Sequence, residues 1–202
     1  MFYDPRHEDH GLDHAPWTAL VVPRPIGWIS SLSPGGVPNL APYSFFNAVS
    51  GAPPFVMFSS AGRKDSQTNI EATAEFVVNM AVAHLRDALN LTSASFEPGI
   101  DEFERAGLEK AACRNVSVPR VAASPVALEC ILSQVVPLTA RDGTKARSEV
   151  IFGEVVGIHI ADTVIVEGKL DISLIHPLSR LGYMDYAITD AVFPMARPVL
   201  DD

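Results

Sequence analysis

The sequence predicts a mainly β fold, an antiparallel barrel or sandwich with a few short helices. Three observations carry this. Short apolar, β-prone runs follow one another without regular alternation with helices, which argues against a doubly wound parallel sheet. The 13 glycines and 16 prolines break the 202-residue chain into many turns. The second half contains alternating stretches such as Val150, Phe152, Glu154, Val156 and Ile158, whose period of two gives a strand two distinguishable faces.

Taken in order, residues 1–16 read as a polar arm, and Leu20 to Val22 and Ile26 to Leu32 as short strands. "SPGGVPN" is a turn signal, and Phe55 to Ser59 is the next strand. A helix is expected over 65–74, and "EFVVNMA" after it as a strand. Residues 84–93 and 101–106 suggest short helices. "VALECILSQVVPLTA" is a long β run, "RDGTKARS" a hairpin tip, and "EVIFGEVVGIHIA" and "TVIVEGKLD" complete a β-rich second half. Domain organisation is expected as an arm (1–16), one domain (17–186) and a tail (187–202).

The chain is 48% hydrophobic with a formal net charge of -9. One sizeable core is within its reach, and a field of that sign argues against a general nucleic-acid binder. No apolar run approaches the roughly 18 residues that a membrane span needs. The opening residues are polar and acidic, without the pattern of a signal peptide, so the expected location is cytoplasmic. Cys113 and Cys130 form no CxxC motif and read as reduced thiols. His7, His10 and His14 lie in the arm, a poor place to hold metal ligands rigidly. His159, within a strand, reads as structural, and Arg180 as a structural partner.

The chemistry concentrates in "FSSAGRKDSQTNIEATAEFVVNM". A strand ends in Ser59 and Ser60, and the cations Arg63 and Lys64 precede a helix that Asp65 or Ser66 is placed to cap. A helix start offers unpaired N–H groups and the positive end of the macrodipole. Arg grips phosphate through paired hydrogen bonds and Lys acts as a point charge, while Ser66, Thr68 and Asn69 add neutral donors. Spacing alone leaves two readings open: an anion site, and a capped surface helix with solvated cations. There is no GxGxxG and no GxxxxGK[ST].

"RPIGWISSLSPGGVPNLAPYSFFNAVS", an apolar strand ending in Ser, "RKDSQTNIEATAEFVVN", "GIDEFERAGL", "EVIFGEVVGIHI" and "HPLSRLGYMDY" occur in this order. In that arrangement the chain resembles the flavin reductase-like proteins with an FMN-binding split barrel, over about Thr18 to Tyr186. The resemblance implies a six-stranded antiparallel split barrel with a few peripheral helices, a homodimer, and FMN at the subunit interface. It implies that Trp28, Ile29, Ser30 and Ser31 line the isoalloxazine, and that Ser44, Phe45, Phe46 and Asn47 form a second wall. Ser59 and Ser60 would lie near the ribityl chain, and Arg63, Lys64, Asp65, Ser66, Thr68 and Asn69 would cradle the phosphate.

The implied activity is oxidoreduction: hydride transfer from NADH or NADPH, a transient donor, to flavin N5. That step needs the two rings in contact and shielded from water, so no catalytic side chain is assigned, and no metal. Reduced flavin would then serve a monooxygenase or redox protein partner. The rival from the same resemblance is a non-catalytic or electron-transfer flavoprotein. A pyridoxamine-phosphate oxidase-like activity is disfavoured, because basic residues for a second phosphate are missing around the expected site.

Overall fold

The computed structural model describes residues 1–199; the last three residues of the expected tail lie outside them. In chain order, α1 (Trp17–Leu20) and the two-residue β1 (Arg24–Pro25) lead into β2 (Gly27–Leu32), β3 (Pro38–Tyr43), β4 (Phe46–Gly51) and β5 (Pro54–Ala61). α2 (Asp65–Thr73) connects β5 to β6 (Glu75–Met80). A 3-10 turn at Ala83–Leu85, α3 (Arg86–Leu91) and α4 (Glu102–Arg105) follow, then the small pair β7 (Lys110–Ala111) and β8 (Arg120–Val121). A long hairpin comes next, β9 (Val126–Thr139) and β10 (Lys145–Ile160). The chain ends with β11 (Ile165–Val166), β12 (Lys169–Leu170), α5 (Ile172–Ile175), β13 (Leu178–Arg180) and β14 (Tyr186–Ile188). Among the described residues no helix is long and apolar enough to cross a membrane.

The main sheet has seven strands in the order β3-β2-β6-β9-β10-β5-β4, one more than the expected six. Every neighbouring pair is antiparallel. The sheet curls on itself: the Tyr43 ring of β3, at one edge, meets the Phe58 ring of β5, near the other, with centroids 4.6 Å apart. The extra strand comes from "NLAPYSFFNAVSG", which breaks at Ser44–Phe45 into β3 and β4. Two other expectations change. Residues 20–22 form no strand, because the chain makes α1 there and then a loop. Residues 163–171 form a 3-10 turn and the small β11–β12 hairpin, reversed at Glu167 and Gly168, both at positive φ.

The period of two assigns each face of the sheet. Ile29, Val56, Phe58, Phe76, Val78, Cys130 and Ile151 point into the barrel and form its core with Tyr43 and with Ile70 of α2. The intervening residues point out. Trp28 packs there with Leu40, Leu89, Phe103 and Val121 beneath α3 and α4, and Val77 and Ala127 meet Val116 and Val118 of the covering loop. Each fully buried large apolar side chain is worth about 1.5–3 kcal/mol, so both faces of the sheet contribute. α2 plugs one end of the barrel through Ile70.

Gly153 of β10 faces Phe76 across the interior; a Cβ there would lie 2.3 Å from Phe76 Cζ. Gly153→Ala should therefore destabilise the fold by about 1–3 kcal/mol, the usual effect of overpacking. Gly35→Ala, in an open turn where the nearest atom is 3.8 Å away, should leave the urea-unfolding midpoint nearly unchanged. Equal midpoints for the two variants would contradict this account of the core.

Candidate functional site

β5 delivers the chain to the plugged end of the barrel. Ser60 Oγ donates to Gly62 O at 2.9 Å, and Gly62, at φ 78°, turns the chain toward α2. The helix starts differently from expectation. Lys64 occupies the N-cap position in extended conformation, and no side chain caps the helix. Asp65 and Ser66, the two expected caps, both sit in the first turn. The first helical bond runs from Thr68 N to Lys64 O, at 3.0 Å. The N–H groups of Asp65, Ser66 and Gln67 therefore have no helical partner and carry the positive end of the helix dipole.

The two cations part company. The Arg63 guanidinium pairs with Glu71 on the flank of α2. A hydrogen bond from Gln67, followed by this pairing, holds the Glu71 carboxyl below its ordinary range against the opposing effect of burial. Lys64 Nζ instead stands 5.9 Å from the centroid of the Tyr43 ring. It lines a cleft of about 230 Å³ with Asn39, Tyr43, Ser66, Phe96 and Glu102.

A buried hydrogen-bond chain builds the floor of this cleft. Glu102 of α4 accepts from Asn39 Nδ2 and from Leu40 N, both at 2.9 Å. Asn39 Oδ1 accepts from Ser66 Oγ at 2.8 Å and from Ser31 Oγ at 3.4 Å. Asn69 Nδ2 donates to Ser31 Oγ at 3.2 Å. Burial pushes the Glu102 carboxyl up, against the Leu40 N–H and Asn39 bonds that favour its charge. The Tyr43 hydroxyl is buried without a hydrogen-bond partner. Burial raises its pKa, an effect that the nearby Ser66 and Ser60 hydroxyls partly offset.

The structure thus brings together Ser31, Lys64, Asp65, Ser66 and Asn69. It places other expected residues elsewhere. Trp28 is fully buried on the outer face, where its Nε1 donates to Thr92 Oγ1 at 2.9 Å. Ile29 is core, and Ser30 Oγ donates to Pro119 O at 2.7 Å. The side chains of Trp28 and Ile29 present no surface to a ligand here, because strand alternation commits both to packing. Phe46 lies against the barrel core and Gly27, while Phe45 is 46% exposed with Arg24 5.7 Å from its ring centroid. Ser44 and Ser59 are half-buried, and Ser59 N donates to Phe45 O at 2.8 Å. Asn47 is exposed and accepts from Ala48 N at 2.9 Å; Thr68 is exposed on α2. Arg180 donates to Tyr183 O and lies 4.5 Å from the Tyr186 ring centroid, a structural placement.

Sequence reading passed over Asn39, Tyr43, Glu102 and the 92–96 stretch. Asn39 and Tyr43 lie inside "NLAPYSFF", and Glu102 inside "GIDEFERAGL". For Asn39 and Tyr43, a polar group within an otherwise apolar strand was the available signal; Glu102, among Asp101, Glu104 and Arg105, had none.

The end of the barrel thus gathers the uncapped start of α2, Lys64 and a buried polar floor into one cleft. The chain belongs to the flavin reductase like domain family, whose sequence pattern matches residues 19–179. An uncharacterised protein of Aquifex aeolicus is 39% identical over 169 residues, covering 81% of this chain and 83% of that one. The crystal structure of nitrilotriacetate monooxygenase component B from Bacillus cereus is 31% identical, with a TM-score of 0.87, and covers 96% of this chain and 98% of that one. The 2-nitrobenzoate 2-nitroreductase NbaA of Pseudomonas fluorescens is 28% identical, with a TM-score of 0.84, and covers 98% of this chain and 96% of that one. The architecture is the antiparallel split barrel that the resemblance implies.

Glu102 yields a pH signature. Its carboxyl titrates above the unfolded value, so the folded state binds this proton more tightly. Its contribution is complete below the unfolded pKa and is lost as pH rises through the folded one. The stability difference between wild type and Glu102→Gln should therefore move in favour of wild type as pH falls from neutrality through that window. Urea titrations at several pH values measure it; a difference independent of pH would refute the burial assignment.

Proposed function

We propose that this protein is an FMN-dependent oxidoreductase, a flavin reductase that takes hydride from NADH or NADPH, with the flavin phosphate held at the start of α2. The observation that carries this is the uncapped α2 N-terminus opening into a cleft that also holds Lys64 and the unpartnered Tyr43 hydroxyl. These groups fit a phosphate: free N–H donors, one full positive charge and one hydroxyl donor. Ser66 and Asn39, locked by the buried chain from Glu102, hold that end of the cleft rigid. Asp65, at the cleft wall, is suited to accept from the hydroxyls of the ribityl chain.

When bound, FMN supplies the two-electron acceptor for the nicotinamide hydride. This chain's residues bind, orient and exclude water. About 230 Å³ is smaller than the usual cavity for a ligand of this size, so the cleft suits the phosphate and ribityl half. Residues from Pro42 to Phe45, continuing from the cleft wall, would hold the ring. Phe45 and Val49, 46% and 48% exposed, offer apolar surface there for a second copy to cover, which supports a homodimer. A separate monooxygenase or redox protein is the proposed consumer of reduced flavin, a reading favoured by the likeness to a monooxygenase component B.

Two measurements test this. In FMN titrations followed by flavin fluorescence, Lys64→Ala should weaken binding about 10–100-fold, the worth of one charge-assisted contact. Arg63→Ala should change it little, since Arg63 is engaged by Glu71. The opposite ranking would move the phosphate off this cleft. Anaerobic mixing of the FMN-loaded protein with NADH or NADPH should bleach the flavin absorbance rapidly. Slow or absent bleaching with both donors would replace the reductase with an electron-transfer flavoprotein.

A further inference from the structure

On the outer face of the sheet, Cys113, Glu129 and His159 bring a thiol, a carboxylate and an imidazole within 4.8 Å of one another. The fold builds this cluster with care. Glu129, 1% exposed, accepts from Arg114 N at 2.8 Å and from Asn115 N at 2.6 Å, so its carboxylate is oriented by the backbone of the covering loop. His159 Nε2 lies 2.5 Å from Glu129 Oε1. Opposite Glu129 stands Gly157, where a Cβ would come 2.9 Å from the Glu129 carboxyl carbon; only glycine leaves room for the carboxylate. Gly157 follows a β-bulge after Val155, an irregularity often found where a strand re-aims a side chain toward a site. Glu129 and His159 line a second cavity of about 530 Å³ that shares no lining residue with the α2 cleft.

We infer that Cys113, Glu129 and His159 bind one divalent metal ion of the zinc class. Thiolate, imidazole and carboxylate together are a donor set that such borderline ions prefer, and three protein ligands leave a fourth position open. Tetrahedral zinc holds its donors about 3.3–3.6 Å apart, from bonds of about 2.0–2.3 Å. The three donor atoms lie within 4.8 Å of one another, and the His159–Glu129 separation of 2.5 Å is the one that must widen, by about 1 Å, with His159 half-buried beside the cavity. The Arg114 and Asn115 N–H groups provide the outer support that metal-ligating carboxylates usually have. Thiolate and carboxylate would neutralise the ion, and the adjoining cavity, lined also by Arg120 and Ser124, suits water or a small anion at the fourth position. The ion would tie the 113–118 loop to β9 and β10.

The test uses the full-length protein treated with chelator and then titrated with Zn²⁺ by calorimetry, with Co²⁺ as the optical probe. Wild type should bind one Zn²⁺ per chain, and Co²⁺ should give a thiolate-to-metal charge-transfer band. Cys113→Ser, which exchanges sulfur for oxygen, should abolish the band; this variant and His159→Gln should each weaken Zn²⁺ binding by at least about 10–100-fold. Circular dichroism checks that both fold. Cys130→Ala and a variant with His7, His10 and His14 all replaced by Ala should keep the site intact. Absence of the Co²⁺ band in wild type overturns the proposal, as does Zn²⁺ binding that survives loss of Cys113 and His159. So does binding that disappears with the arm histidines.

Discussion

The contact between Tyr43 and Phe58 organises this molecule. The two rings belong to strands far apart in the sheet order, and their meeting at 4.6 Å curls seven strands into a barrel. Phe58 also meets Phe76 edge-on at 5.9 Å, which carries the contact into the core. An aromatic pair of this kind adds about 0.5–1.5 kcal/mol beyond its buried area, and its larger effect is positional. It brings the end of β3 beside the strand that leads into α2. The cleft exists because the barrel closes there, and the Tyr43 hydroxyl is left at the boundary between core and cleft.

Closure leaves polar groups in a dry place, and the Glu102 chain resolves the conflict. Asn39 sits where a barrel-facing residue would ordinarily be apolar. It is tolerated because Glu102 accepts from its amide nitrogen and Ser66 donates to its oxygen. Each such bond contributes only about 0.5–1.5 kcal/mol net, yet leaving one buried partner unpaired costs more than the bond returns. The chain therefore acts as a unit, joining α4, β3 and α2. That rigidity matters for a site whose donors are backbone N–H groups, since they can move only with the helix.

Much of the architecture was legible in the sequence, for reasons that can be named. β2, β5, β6, β9 and β10 carry strong apolar runs or a clear period of two, and both signals come from burial. α2 showed itself by its position between two strands, after the polar turn that precedes it. What was missed depended on tertiary context. Trp28 and Ile29 are neighbours in sequence, and nothing local says which faces the barrel and which the helices; neither side chain reaches the surface. Asp65 is a better intrinsic N-cap than Lys64, but the turn at Gly62 sets Lys64 in the extended conformation that precedes the helix. Arg63, expected as a phosphate ligand, pairs with Glu71, eight residues on. Glu102 lies 62 residues from the backbone N–H it satisfies, a distance that no local pattern spans.

The charge of the chain sharpens the meaning of Lys64. A net charge of -9 repels anions at long range, so a phosphate is held only where local donors outweigh that field. The start of α2 is where such local donors gather, because helix-terminal N–H groups act over a few ångströms and, among the described residues, Lys64 forms no ion pair with a carboxylate. The outer face reaches the opposite balance with the same tools. There Glu129 is a buried carboxylate held below its ordinary range: burial opposes ionisation, and the Arg114 and Asn115 N–H groups and His159 overcome it. Strand alternation keeps these two polar environments on opposite sides of one sheet. Ile29, Val78 and Leu128 form one row across β2, β6 and β9 on the barrel side, while Ser30, Val77 and Glu129 form the next on the other. A shift of register by one residue would exchange the rows, putting the Glu129 carboxylate in the barrel core, away from the Arg114 and Asn115 N–H groups that hold it. The apolar pattern that makes the barrel therefore also decides where its charged chemistry can be.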